Sequence, residues 1–290
     1  MTNTQINIDA LIKREESILL DIKTSIDRQI DELSSRLRSE QDRAKELTAD
    51  MVSTRREEDR QLIASDEAVS HALKDRYELE LKDLKILQEK PYFARILLEE
   101  YDEKSDSFKN VEYRIGAIGN ADCRIIDWKK SPLAKLYYEY KEGDDFAEDI
   151  LGKSREGRIA EKIQVDIVKG TLKRLTGTFG NIVKKDSSWI TTTEIQRGRP
   201  QGRGSLPDIA QLITKEQFKA ITLDAKESVL IQGVAGSGKT TVALYRLSWL
   251  IANKHALETE SLIVVKSPSL KAYINHSLPL FEMEGVKLKT

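Results

Sequence analysis

Ser228-Val229-Leu230-Ile231-Gln232-Gly233-Val234-Ala235-Gly236-Ser237-Gly238-Lys239-Thr240 is the stretch whose reading decides the fold. Its first five residues are apolar or β-branched enough to predict a short strand. Residues 241–252 then carry Val242, Leu244, Leu247, Leu250 and Ile251 at helical spacing. Strand, glycine loop and helix in that order are the context that turns G-x-x-x-x-G-K-[ST] into a phosphate-binding P-loop. Glycines let backbone N–H groups turn inward and approach phosphate oxygens that a Cβ would keep away. The helix N-terminus adds its partial positive charge at the same point. Lys239 then reaches the β and γ phosphates, and the Thr240 hydroxyl is placed to ligate Mg²⁺. With average residue usage the bare pattern arises by chance in roughly one chain of this size in a hundred, and the flanking strand and helix lower that further.

Working outward, Gln217 lies on an amphipathic stretch sixteen residues before Gly233. A glutamine amide offers one donor face and one acceptor face together, which suits the N6/N7 edge of adenine. On the other side of the loop, residues 261–265 read as a second buried-type strand, followed by Lys266-Ser267-Pro268-Ser269. In an open α/β sheet the carboxyl edge of the strands is where ligands bind. Ser267 or Ser269 is therefore a candidate contact to a nucleic-acid backbone, and an ordinary strand-to-helix turn accounts for them equally well.

The first ninety residues have another character. Residues 9–90 contain neither Pro nor Gly, and charges of both signs are interspersed. Leu19, Ile22, Ile26, Ile30, Leu33, Leu37, Ala44, Leu47 and Met51 fall on steps of three and four with one of seven, the a/d seam of a coiled coil. A second seam reads Leu62, Val69, Leu73, Tyr77, Leu81, Leu84 and Leu87. Two long antiparallel helices joined near residues 52–60 are expected, projecting roughly 50 Å. Their tip carries Glu57, Glu58 and Asp59 beside Arg55, Arg56 and Arg60. Such an arm serves as a spacer, as a dimerising coiled coil, or as a probe whose acids favour a basic cavity or a bound metal ion.

Pro91-Tyr92-Phe93-Ala94-Arg95-Ile96 ends the helical pattern. Strand-like runs follow at 112–115, 123–128 and 135–140, punctuated by Gly116, Gly119 and Gly143, and predict an antiparallel meander. Trp128, Tyr137, Tyr138 and Tyr140 read as core rather than as a binding surface. Residues 154–186 carry Lys and Arg on a mixed pattern that assigns no element. Arg197-Gly198-Arg199-Pro200-Gln201-Gly202-Arg203-Gly204 is a basic loop, a linker or a contact to nucleic-acid phosphates.

Composition narrows the classes. The 290 residues hold 47 basic and 48 acidic side chains, so nothing attracts nucleic acid globally. Cys123 is the only cysteine and there are three histidines, which excludes a disulfide framework and argues against a zinc enzyme. No apolar run approaches the roughly 20 residues of a membrane span, and no signal-peptide pattern opens the chain. A reducing, cytoplasmic setting without a membrane is expected. The fold class expected is α/β, with an N-terminal antiparallel helical coiled coil over 1–90 and a small mixed α+β segment over 91–195. A basic flexible linker over 196–208 and a partial P-loop (RecA-like) parallel-sheet domain over 209–290 complete it.

Gln217, the Gly-Val-Ala-Gly-Ser-Gly-Lys-Thr loop and the helix Ala-Leu-Tyr-Arg-Leu-Ser-Trp-Leu together resemble superfamily 1 helicases of the UvrD/Rep type. The coiled coil, the Pro-Tyr-Phe-Ala-Arg-Ile box at 91–96 and Ile125-Ile126-Asp127-Trp128-Lys129-Lys130-Ser131-Pro132 with Leu136-Tyr137-Tyr138-Glu139 resemble the HelD-type branch, which binds bacterial RNA polymerase and uses ATP to release it from nucleic acid. Lys129 stands where that branch usually has arginine, which puts a planar bidentate contact there in question. The resemblance implies an ATP hydrolase with ATP and Mg²⁺ as cofactors and RNA polymerase and DNA as partners. It assigns Gln217 to adenine and Gly233, Gly236, Ser237, Gly238, Lys239, Thr240 and Thr241 to the triphosphate. It further gives Thr240 to the metal, Lys239 to catalysis, Ser267 to the nucleic-acid face, and the arm tip (Glu57, Glu58, Asp59) to the secondary channel of the polymerase. Fifty-one residues follow Lys239, too few for the family's second acidic strand and second RecA-like domain, so the chain alone is expected to bind ATP weakly and without turnover.

Overall fold

A computed structural model describes residues 7–53, 56–150, 152–186, 188–192 and 209–290. The basic linker expected at 196–208 lies outside the described residues. The chain divides into two compact units. The first takes residues up to Arg95, Asn120–Ile125 and those from Ile163 to the end of the sheet. The second takes Ile96–Gly119, Ile126–Lys162 and the described residues from 209 onward. The architecture is α/β, with a long N-terminal helical region and a mixed sheet. Among the described residues no helix is long and apolar enough to cross a membrane.

In the first unit, α1 (Ile8–Ser53) and α2 (Glu57–Glu89) form an antiparallel hairpin. Their direction is set by side-chain bonds between them: Thr48 Oγ1 donates to Glu67 Oε1 at 2.6 Å, Ser70 Oγ to Glu40 Oε2 at 3.0 Å, and Gln88 Nε2 to Asp27 Oδ1 at 2.7 Å. The seam on α1 is as expected at Leu19, Ile22, Ile26, Leu33 and Ala44, all buried. On α2 the expected register needs correcting. Leu62 and Val69 are 71% and 55% exposed, and Ser70 is buried in their place. Adjacent helix positions are about 100° apart, so Ser70, Leu73, Tyr77, Leu81, Leu84 and Leu87 continue one stripe that Val69 misses. The serine hydroxyl is tolerated there because it donates to Glu40. α2 stops one residue before Lys90-Pro91, as the steric demand of proline requires.

The base of the hairpin packs on β-structure that sequence patterning left unassigned. β5 (Lys153–Val168), β6 (Thr171–Gly177), β7 (Gly180–Lys185) and β8 (Ser188–Thr192) follow one another as antiparallel neighbours. Within this unit Ile163, Val165 and Ile167 point to the core and Gln164 and Asp166 away from it. Lys169 and Gly170 both have positive φ, 50° and 65°, and connect β5 to β6 in two residues. The Gly170 N–H donates to Glu89 O at 2.7 Å, tying that turn to the end of α2. Glu15 of α1 and Arg95 form a fully buried ion pair with Nε and Oε1 2.6 Å apart, and the Tyr92 hydroxyl stands 3.5 Å from the second carboxylate oxygen.

In the second unit, β1 (Ala94–Asp102), β2 (Ser107–Gly116) and β3 (Ile125–Asp127) join the first half of β5, which also pairs antiparallel with β4 (Asp145–Ile150). A Cβ at Gly157 would overlap the Glu99 carbonyl, which is why β5 carries glycine where it crosses β1. The strand expected at 135–140 is instead the short helix α3 (Ala134–Glu139). Turn bonds from Ala134 N to Ser131 O and Lys135 N to Pro132 O, both 3.1 Å, wind the chain from the proline onward. Trp128, Tyr137 and Tyr138 are buried as expected of core aromatics.

Lys162 lies at the edge of this core. Its Nζ donates to Tyr140 O at 2.9 Å and sits 4.5 Å from the Tyr137 ring centroid. Burial pushes its ammonium down from 10.5 to about 8, with Asp144 opposing. Between those two pH values the unfolded chain holds a proton that the folded chain has lost, so stability must rise with pH across the window. In urea unfolding, the stability of the wild type relative to Lys162→Met is expected to be flat below pH 8 and to rise, in the wild type's favour, toward pH 10.5. A difference independent of pH would mean the ammonium is solvated.

The largest departure concerns 228–232, expected as the first strand of a parallel sheet. These residues join no ladder, and Leu230 is 82% exposed. The parallel pair of β9 (Leu262–Val264) with β10 (Lys287–Lys289) does not include them. A strand is stable when its N–H and C=O groups find neighbours, and no described strand is offered to 228–232. The helices around it do form, because their backbone bonds are internal: α4 (Lys215–Thr222), α5 (Lys239–Ala252) and α6 (Pro268–Ser277). α5 and α6 close over a core of Leu244, Ile274, Leu278, Phe281, Met283 and Val286.

Candidate functional site

The glycine loop stands without its expected strand. Gly236 and Gly238 have φ of 81° and 82°, the left-handed region that a side chain resists. Gly238 is the N-cap of α5 and offers no side chain, so the amides of the first turn face outward uncapped by protein. Open space lies where a Cβ on Gly236 would stand, while at Gly233 a Cβ would come within 2.6 Å of Ser237 Oγ. Lys239 Nζ folds back over the loop and donates to Gly233 O at 2.8 Å and Val234 O at 2.7 Å. An ammonium has three donors, and these bonds use two. This donor set fits a polyphosphate: uncapped helix amides, a loop two of whose glycines have positive φ, and one cation at its centre.

Gln217 is brought to the same place. Thr214 caps α4 with a capping box: Gln217 N–H donates to Thr214 Oγ1 at 3.3 Å and Thr214 N–H to Gln217 Oε1 at 3.0 Å. The backbone donor fixes which amide atom is oxygen, so Nε2 points away from the cap. It lies 3.7 Å from where a Cβ on Gly238 would stand. Thr240 is exposed and Thr241 half-buried in the first turn of α5. Thr240 borders a cavity of about 290 Å³, whose walls of Leu244, Leu247, Ile263 and Val265 are apolar.

Two residues outside the expected site hold this arrangement together. Arg246 is 9% exposed, and its guanidinium donates to the carbonyls of Ala220, Ile221, Leu223, Asp224 and Glu227 at 2.9–3.3 Å. It satisfies the last carbonyls of α4, where a cation also suits the helix dipole. Its signal was an arginine set among the apolar residues of α5. The second is Tyr138, whose ring stacks on Phe218 with centroids 4.3 Å apart and planes 15° from parallel. Lys129, the departure noted in the sequence, is buried; its Nζ bonds Glu282 Oε2 at 2.9 Å, and Asn253, the C-cap of α5, donates to its carbonyl.

The remaining candidates stand elsewhere. Ser267 is the N-cap of α6 and accepts from Leu270 N at 3.2 Å, so its hydroxyl serves a structural bond. Glu57, Glu58 and Asp59 are exposed in the first turn of α2, where carboxylates suit the helix dipole. Among the described residues no group of three His, Cys, Asp or Glu could hold a metal ion.

Residues 213–267, which hold the loop and its flanking helices, match the UvrD/REP helicase N-terminal domain. The chain belongs to the DNA helicase IV HelD family, whose N-terminal domain matches residues 12–187, more than half its length. No curated protein matches the chain.

Proposed function

We propose that the chain is the ATP-binding part of a HelD-type motor that couples ATP hydrolysis to removal of RNA polymerase from nucleic acid. The observation that carries this reading is the position of Lys239 Nζ within the glycine loop, beside the uncapped start of α5 and the amide of Gln217. In this reading residues 209–290 belong to a RecA-like domain. Gly233, Gly236, Ser237, Gly238 and Thr241 line the phosphate path, and Lys239 neutralises its end. The Thr240 hydroxyl, exposed at the first turn of α5, is a ligand for Mg²⁺, which when bound shields the phosphate charge. Mg²⁺ ordinarily keeps several waters and leans on phosphates with few protein ligands, so a single hydroxyl is a sufficient anchor for binding. Gln217 reads the base.

The hairpin α1–α2 is the element that meets the polymerase. The 46-residue α1 is roughly 70 Å long, and the acids at its far end suit a basic channel. DNA is the second partner, with Ser267 the candidate on that face. The test is co-elution of the purified chain with RNA polymerase, with and without DNA. Association with polymerase alone is expected, weakened about tenfold by the combined reversal Glu57→Lys, Glu58→Lys and Asp59→Lys, since charge complementarity governs encounter. Binding to DNA but not to polymerase would point instead to a translocase that works on DNA directly.

A further inference from the structure

The segments matched by the two family descriptions meet inside the second unit, and they meet at aromatic rings. Tyr138 of α3 lies in one and Phe218 of α4 in the other, stacked face to face. The Tyr138 hydroxyl donates to Ala210 O at 2.8 Å, in the turn that precedes α4. Trp128 sets its edge against both Tyr138 and Tyr245 of α5, at centroid distances of 6.2 and 5.1 Å. One line of rings therefore runs from the helix that starts at the glycine loop to the helix that carries Gln217, the residue next to Phe218. Packed interiors transmit displacement because they contain few voids.

From this geometry we infer that Tyr138 is a positioning residue for base recognition, holding Gln217 at the spacing from Gly238 that adenine requires. The inference rests on the nucleotide reading above. The phosphate cradle is built by the loop and the first turn of α5, whereas Tyr138 stacks on the ring beside Gln217, so the two contributions separate. Losing the stack lets α4 drift and weakens the base contact while leaving the phosphate contact alone. Misplacement of a recognising group by about 1 Å is enough to lose its effect.

The test compares ATP, GTP and inorganic tripolyphosphate by calorimetric titration of the full chain. In Tyr138→Leu, affinity for ATP is expected to fall about tenfold toward that for GTP, the worth of one good hydrogen bond. Affinity for tripolyphosphate is expected to change by less than about twofold, because no phosphate contact is lost. Tyr138→Phe keeps the ring and loses only the bond to Ala210, so a preference reduced about threefold is expected. That variant remains informative if the leucine variant does not fold. Unchanged ATP-over-GTP preference in both variants overturns the inference, as does an equal loss for ATP and tripolyphosphate, which would make Tyr138 merely structural. Failure of the wild type to bind tripolyphosphate at all overturns the nucleotide reading itself, and this inference with it.

Discussion

Lys239→Ala is expected to weaken ATP binding about a hundredfold. The ammonium is the cation at the centre of the cradle, and a charge-assisted bond to phosphate is worth roughly 1.5–3 kcal/mol. Two such bonds lost give about 3 kcal/mol, or two decades in affinity. The fold should barely respond, because the bonds that Nζ makes within the protein go to exposed carbonyls of Gly233 and Val234, which water can serve. Calorimetry with ATP and a urea unfolding curve on the same samples separate the two effects. Equal ATP affinity in wild type and variant would remove the site. Lys239→Arg should also bind poorly, since the planar guanidinium cannot turn back into a loop fitted to a compact ammonium.

The second large effect concerns the anchor of the arm. Glu15 and Arg95 are both fully buried, their charged atoms 2.6 Å apart. Arg95→Met takes the cation from a buried carboxylate, and Glu15→Leu takes the carboxylate from a buried guanidinium. Each single change is expected to cost about 3–5 kcal/mol, a large share of the 5–15 kcal/mol by which a typical domain is stable. The double variant Glu15→Leu, Arg95→Met should recover most of that loss, because two apolar groups of similar volume remove the desolvation cost of both charges. Urea midpoints of the four proteins form the cycle that isolates the coupling. Single variants within 1 kcal/mol of wild type would mean that the pair is hydrated. The pair joins α1 to the residue at the start of β1, so the loss should also appear as faster amide exchange at the base of the hairpin.

Local signals were legible wherever a single element could satisfy itself. The two arm helices, the end of α2 before Pro91, the helix from Lys239 and the glycines around it follow from periodicity, proline chemistry and a motif. The β-structure of 154–186 was also written in the chain and went unread. Ile163, Val165 and Ile167 alternate with Gln164 and Asp166, and Lys169-Gly170 then supplies the two-residue turn. Charged residues on the outer face hid that alternation. Residues 135–140 misled for the opposite reason: Leu136, Tyr137 and Tyr138 are all buried, and aromatic residues in succession suit a strand as well as a short helix closed in on every side.

The amino-acid order by itself named the members of the candidate site. Gly233, Gly236, Gly238, Lys239 and Gln217 were named by pattern, since the special φ, the charge and the amide each belong to a residue type. Tertiary structure alone decided how they are assembled. Arg246 gathers five carbonyls from residues about twenty positions away, and Tyr138 stacks on a ring eighty positions downstream. Neither contact has any periodicity to betray it, because a buried donor or ring takes its partner from whatever surface the packing delivers. The same dependence explains Ser228–Gln232 in reverse: an apolar sequence proposes a strand, but only neighbouring strands can make it one.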